Sequence, residues 1–226
     1  VHLGGGATDP YWSNVTLLVK ADGAITNLKG NWNLEVVGST QPSTSIKKFG
    51  TGSMYFSADG DAVRHYNAAA SDLGTGALTV EFWNYITAKN GLFLTIGPWP
   101  WYLTIGYDTY GGGGFNFSMG YNNSYGYQTD YGILNQWQHW ALVRGTDGYV
   151  NLYVYGILRF RSTFASTSQV YDGSASGFYI GNSHDLRYRH RGYIDEVRLT
   201  KGIARYTGNT LGTSYFTPPT TSFPTQ

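Results

Sequence analysis

Apolar and polar residues alternate with a period of two along much of the chain, and Gly, Asn, Asp and Ser interrupt each run. Successive side chains on a strand point to opposite faces, so this alternation predicts strands. No long glycine-free window carries the i, i+3, i+4, i+7 spacing of a helix. The predicted strands are Val15–Lys20, Leu34–Val37, Ser53–Ser57, Leu78–Ile86, Leu92–Ile96, Tyr102–Tyr107, Phe115–Met119, Gln138–Arg144, Tyr149–Tyr155, Arg159–Thr163, Gly177–Ile180 and Tyr193–Thr200. The clearest, Leu78–Ile86, puts Leu78, Val80, Phe82 and Asn84 on one face and Thr79, Glu81, Trp83 and Tyr85 on the other. Asp147-Gly148 between two alternating runs signals a hairpin. Ser39–Lys48, which contains Pro42, reads as a polar connection. Many short strands at this spacing specify a sandwich or barrel.

Composition narrows the picture. Aromatic residues make up 17% of the 226 residues and charged residues only 13%, so Tyr, Ser, Thr and Asn cover much of the surface. Such a surface suits close assembly or contact with neutral polar ligands such as sugars. The net charge of +1 and the lack of any basic run beyond Lys47-Lys48 disfavour nucleic acid as a partner. With no cysteine there is neither a disulfide framework nor a thiolate metal site. No apolar stretch is long enough for a helical membrane span. The composition never switches, so one domain is expected over residues 10–216. A flexible Gly-rich arm (1–9), without the features of a signal peptide, precedes it, and an extended Pro-rich tail (217–226) follows.

Five segments, in order, resemble the concanavalin A-like/laminin G-like jelly-roll domains. They are Thr16–Gly23; Phe49–Phe56 with Asp59-Gly60-Asp61; Leu78–Trp83; Gln136–Arg144 with Val150–Gly156; and Gly192–Tyr206 followed by Phe216-Thr217-Pro218-Pro219. The resemblance runs from about Pro10 to Pro224 and implies an all-β chain, a single antiparallel jelly-roll β-sandwich of about a dozen strands. The ending Val197–Tyr206 before Phe216–Pro219 is similar to the version in bacteriophage structural proteins. Two departures stand out. Tyr155-Gly156 replaces the usual Asn-Gly of one hairpin, and Asn27–Asn31 follows Asp22-Gly23 in place of the family's usual loop.

The resemblance implies a non-catalytic subunit of a phage-like virion, a capsid decoration, tail or fibre protein. Its expected location is the virion or otherwise extracellular, its partners other virion proteins or copies of itself, with contact to cell-surface glycans. A carbohydrate-binding module or lectin is the alternative. A glycoside hydrolase is disfavoured, because it needs two carboxylates flanking a bond and Glu35, Glu81 and Glu196 form no such strand motif. Asp195 and Glu196 are adjacent and are expected on opposite faces, one of them pairing with Arg198 or Lys201. No histidine pair has metal-ligand spacing, and His139 between Trp137 and Trp140 reads as a packed core residue. Gly111–Gly114 reads as a hairpin tip.

Relatives often hold a calcium ion, which makes Asp22 and Asp195 candidate ligands of a structural calcium, with Asp59 and Asp61 as a second acidic turn. For a ligand or partner the candidates are Trp99, Trp101 and Tyr102 in a Pro/Trp-rich segment, and Tyr125 and Tyr127 in the Gly/Tyr/Asn stretch beyond it. Flat rings with a polar edge stack on sugars and supply rigid interface area. Asp185, Arg187 and Arg189, with Arg191, form a further cluster suited to an acidic partner or a sugar carboxylate.

Overall fold

The computed structural model describes residues 8–30, 33–66, 73–97, 101–107, 115–121, 124–128, 130–163 and 177–226, with backbone alone at 101–102, 116–121 and 124–128. The arm through residue 7, Trp99 with its flanking prolines, Tyr110 and Gly111–Gly114 lie outside the described residues.

Two antiparallel sheets face each other. The first runs, in spatial order, β14 (Ile157–Thr163), β13 (Tyr149–Val154), β12 (Trp137–Arg144), β7 (Leu78–Ala88), β16 (Arg191–Lys201), β1 (Val15–Lys20) and β2 (Thr26–Asn27). β5 (Ser53–Phe56) also pairs with β16, and β4 (Gln41–Ser43) pairs with β5. The second sheet runs β11 (Ser124–Gln128), β10 (Phe115–Tyr121), β9 (Trp101–Tyr107), β8 (Gly91–Ile96), β15 (Phe178–Ile180), β6 (Ala62–His65) and β3 (Glu35–Val37). The twelve predicted strands are all present, and four further ones join them, β2, β4, β6 and β11. β4 contains Pro42, which has no N–H to give a ladder, and its place at the sheet edge tolerates that.

The inner faces interdigitate as alternation requires. Leu78, Val80, Phe82 and Ile86 of β7 meet Phe93, Leu94 and Ile96 of β8 in one buried cluster. Trp140 closes on Phe93 at 5.6 Å and on Phe115 at 5.0 Å between ring centroids. Burying each such ring contributes about 1.5–3 kcal/mol.

The outer face of the first sheet is covered as well. After β16 the chain crosses this face: Tyr206, Tyr215 and Phe216 pack on Ala141, Val143, Tyr153 and Leu158. Tyr206 and Phe216 stack with centroids 3.6 Å apart. The tail then lays Phe223 on Val15 and Leu18, and Asp9 N–H donates to the Gln226 carbonyl at 2.8 Å. The C-terminal segment is thus a strap over the sheet.

Under the strap lies a buried ionic network. Glu81 accepts from Arg198 Nε at 3.0 Å and from the Tyr206 hydroxyl at 2.7 Å, and His139 Nε2 lies 3.1 Å away. Arg198 and Arg205 both donate to Asp9, at 2.9 and 2.7 Å. Burial alone would raise the Glu81 pKa, but the Arg198 charge and the His139 and Arg205 contacts hold it down at about 2. Lys20, Glu196 and Ser222 form a second buried set, in which Glu196 also accepts the Phe223 N–H at 2.8 Å.

Candidate functional site

β16 changes partner halfway along one edge. Gly192–Ile194 pair with β5, and Val197–Thr200 pair with β1. Between them the register shifts against β7, and Glu196 takes φ +56°. This bulge inserts one residue. Ile194 and Val197 both point into the core, so Asp195 and Glu196 both lie on the outer side. The expectation of opposite faces fails for that reason, and Glu196 pairs with Lys20 in place of Arg198 or Lys201.

The bulge also anchors a loop. Asp195 Oδ2 accepts the N–H groups of Lys48 and Phe49 at 3.2 and 3.1 Å. Asp22 Oδ1 accepts the Thr51 N–H at 2.5 Å. The two candidate calcium ligands therefore clamp the two ends of one short segment, with N–H donors facing their oxygens. Asp61 is buried and accepts the N–H groups of Ser39, Ser57 and Ala58, whereas exposed Asp59 meets Arg189. Among the described residues no three His, Cys, Asp or Glu side chains gather as a metal site would require. Burial and the Glu196 charge push Asp195 up to about 7 despite the Phe49 N–H.

The anchored loop seats Phe49 edge-on against Trp83, centroids 5.7 Å apart, and puts Lys48 Nζ 4.0 Å over the Trp83 ring. On the other side Tyr155 meets Trp83 edge-on at 6.3 Å. Tyr155 and Gly156 both have positive φ, +54° and +80°, as a type I′ hairpin demands. Asn-Gly is the favoured pair there. Tyrosine accepts left-handed backbone strain at that turn and, in return, presents a half-exposed ring beside Trp83.

One step further along the strands the outer face opens. Tyr55 of β5 stands opposite Tyr193 of β16, Tyr193 opposite Tyr85 of β7, and Tyr85 opposite Trp137 of β12. Four aromatic side chains from four strands thus form one row across the sheet, each half-buried. Tyr55 and Tyr193 stack at 4.6 Å with planes 16° apart. Tyr85 is turned 84° from Tyr193, and Trp137 is turned 62° from Tyr85. The stacked pair covers one ring face each. The turned rings add differently oriented apolar surface. Leu134, bridged to Ile86, and Ile133 are exposed, in a loop held by Gln138, which accepts the Ile133 N–H and donates to the Tyr131 carbonyl. Gly192, beside Tyr193, lets β16 approach β7 closely, since a Cβ there would collide with the Tyr85 carbonyl. Burial and the Tyr55 and Tyr85 hydroxyls push the Tyr193 hydroxyl pKa up.

This row was not among the residues singled out from the sequence. Tyr85 stood on the face opposite Leu78, Val80 and Phe82 in the predicted strand, but only inter-strand register aligns it with residues 30 positions earlier and 52 and 108 positions later. The aromatic candidates chosen from sequence lie in the second sheet: Trp101 and Tyr102 on β9, opposite Tyr121 and Gly120, and Tyr125 and Tyr127 on the edge strand β11. Trp99 lies outside the described residues. Tyr107 is a core residue whose hydroxyl donates to Asp130 at 2.6 Å.

The arginine cluster divides. The Arg187 side chain is 73% exposed and meets Asp185 at 3.4 Å. Arg189 turns inward and donates to the Phe56 carbonyl at 3.0 Å and to Asp59 at 3.2 Å. His190 between them and the core is fully buried, and burial together with the Arg189 charge lowers it to about 3. The three Glu side chains also part: Glu35 pairs with Arg64 at the surface, while Glu81 and Glu196 sit in separate buried networks.

A family model described as the concanavalin A-like lectin/glucanases superfamily matches residues 56–203. No curated protein sequence matches the chain. Among solved structures, domain 4 of an extracellular arabinanase from Geobacillus stearothermophilus, in complex with arabinotriose, superposes with TM-score 0.64 at 20% identity, over 84% of this chain and 93% of that one. The binding domain of Paraclostridial Mosquitocidal Protein 1 superposes with TM-score 0.63 at 13% identity, over 84% of this chain and 49% of that one. The ligand-binding domain of botulinum neurotoxin serotype D, in complex with N-acetylneuraminic acid, gives 0.59 at 17% identity, over 84% and 48%. This chain spans about half the length of those two toxin domains.

Proposed function

The chain belongs to the concanavalin A-like lectin/glucanases superfamily, and from that premise we propose that it is a non-catalytic module that binds a glycan on the Tyr55–Tyr193–Tyr85–Trp137 row. The observation that carries this reading is the row itself. It brings four half-buried aromatic side chains together on a face that the strap and the Lys48–Phe49 loop cover elsewhere. Sugar rings offer apolar C–H faces and a rim of hydroxyls, and a strip of rings with tyrosine hydroxyls matches both. That two of the similar structures are described as binding domains, and that two carry a bound sugar, supports the same reading.

The test is a glycan array probed with the wild-type chain and with Tyr85→Ala and Trp137→Ala. The reading expects hits that both variants lose while their thermal unfolding stays cooperative. Hits that persist in both variants, or no hits, would overturn it.

A subunit of a phage-like particle is the setting proposed for this module. Its support is the ending Val197–Tyr206 with Phe216–Pro219. In this chain Arg198, Arg205, Tyr206 and Phe216 of that ending hold the strap, a structural task that a carrier of this fold in another setting would share. Mass spectrometry of purified particles tests the setting, and absence of the chain from them removes it.

A further inference from the structure

A cation with no carboxylate partner among the described residues stands beside the aromatic row. Lys48 Nζ sits 4.0 Å from the Trp83 centroid and 5.2 Å from that of Phe49. Trp83 is opposite Asp195 on β16, and Tyr85 opposite Tyr193 is the next outward pair along the same strands. Two residues of strand span about 7 Å, so the ammonium lies one step from the row. Its backbone N–H is fixed by Asp195, which holds the stem in place. The side chain is half-buried and forms no ion pair with a carboxylate among the described residues. Burial lowers its pKa. The surface acids near the row do not supply a counter-charge. Asp195 is buried beneath the loop backbone, and Asp59 is engaged by Arg189 at 3.2 Å and by Arg191 at 4.0 Å. Arg191, two residues from Tyr193 along β16, keeps 42% of its side chain exposed. The flanking exposed polar residues Gln41, Thr87 and Gln136 are neutral.

We infer that the ligand of this row is an anionic glycan, whose carboxylate or sulfate is taken by Lys48 while its ring packs on the tyrosines. The inference rests on the proposed glycan-binding role of the row. A lysine already held over two aromatic rings has surrendered part of its conformational freedom before binding, so less is lost when an anion arrives. The rings supply shape and apolar area for any sugar, and the cation supplies the preference for charge. A charge-assisted contact of this kind changes affinity by about tenfold to a hundredfold.

The experiment compares matched pairs on one array: carboxylated glycans against their methyl esters, and sulfated glycans against the desulfated forms, each with wild type, Lys48→Met, Lys48→Arg and Tyr193→Ala. Wild type is expected to favour the charged member of a pair, and the hits show whether carboxylate or sulfate is read. Lys48→Met should weaken the charged member at least about tenfold and leave the neutral one unchanged. Lys48→Arg should retain the preference, and raising salt should weaken it. Tyr193→Ala should weaken both members. Binding that ignores charge, or that Lys48→Met leaves intact, overturns the anionic assignment and leaves glycan binding standing. Absence of all binding overturns both.

Discussion

Replacing Glu81 by Gln removes one negative charge from beneath the strap while keeping the side chain's shape. In the wild type that carboxylate faces Arg198 at 2.8 Å, Arg205 at 3.6 Å and the Tyr206 hydroxyl at 2.7 Å, with no solvent contact. Asp9 alone would then balance two buried guanidinium groups. Breaking one partner of a buried ionic set costs about 3–5 kcal/mol. Proton linkage gives a similar size. The carboxyl falls from 4.5 to about 2 on folding, and at about 1.4 kcal/mol per tenfold change this is about 3 kcal/mol. The sign follows from the depressed value: the contribution is complete above pH 4.5 and is lost as pH falls towards 2. Urea unfolding of wild type and Glu81→Gln at a series of pH values is the assay. A gap of about 3 kcal/mol at pH 7 that closes on acidification is expected. A gap under about 1 kcal/mol at pH 7, or one that does not change with pH, would refute the reasoning.

Asp195 titrates in the opposite sense. Its pKa rises from 3.8 to about 7 on folding, so wild-type stability should fall by up to about 4 kcal/mol as pH rises across that range. Asp195→Asn keeps an acceptor for the Lys48 and Phe49 N–H groups and should remove that slope; parallel curves for the two proteins in denaturant titrations would contradict this. Phe223→Ala, which uncovers Val15 and Leu18 and removes the ring lying 3.8 Å from the Arg198 guanidinium, should cost about 3 kcal/mol in chemical denaturation. An effect below about 1 kcal/mol would mean that the strap is loosely held. Tyr155→Asn should relieve the strained turn and raise stability by about 1 kcal/mol, and an unchanged or lower midpoint would show that the contact with Trp83 outweighs the strain.

Much of the scaffold was legible because a half-buried strand writes its inner face into the sequence as alternation. Leu78, Val80 and Phe82 were read onto one face, which is the core face, and Asp147-Gly148 turns the hairpin expected of it. The outer face was harder to read. Thr79, Glu81 and Trp83 alternate with the core residues and so look solvent-facing, yet they are buried: a segment more than 100 residues later folds back over Thr79 and Glu81, and the Lys48–Phe49 loop and Tyr155 cover Trp83. Arg198 and Arg205 look like surface charge until Asp9 and Glu81 are brought to them. The short strands β4 and β6 were missed because Pro42 and the Asp59–Asp61 turn dominate their local signal. The bulge at Glu196 left no mark in the sequence, because Asp195-Glu196 carries no glycine or other turn signal at the point where β16 exchanges β5 for β1. The aromatic row depends on register across four strands, which pairing decides and local pattern does not.

The most direct measurement of the site is a chemical-shift map of the backbone amides during titration with a glycan that scores on the array. Binding at the row predicts perturbations centred on Tyr55, Tyr85, Trp137 and Tyr193 and reaching Lys48. Perturbations centred instead on Trp101, Tyr102, Tyr125 and Tyr127 of the second sheet would contradict it.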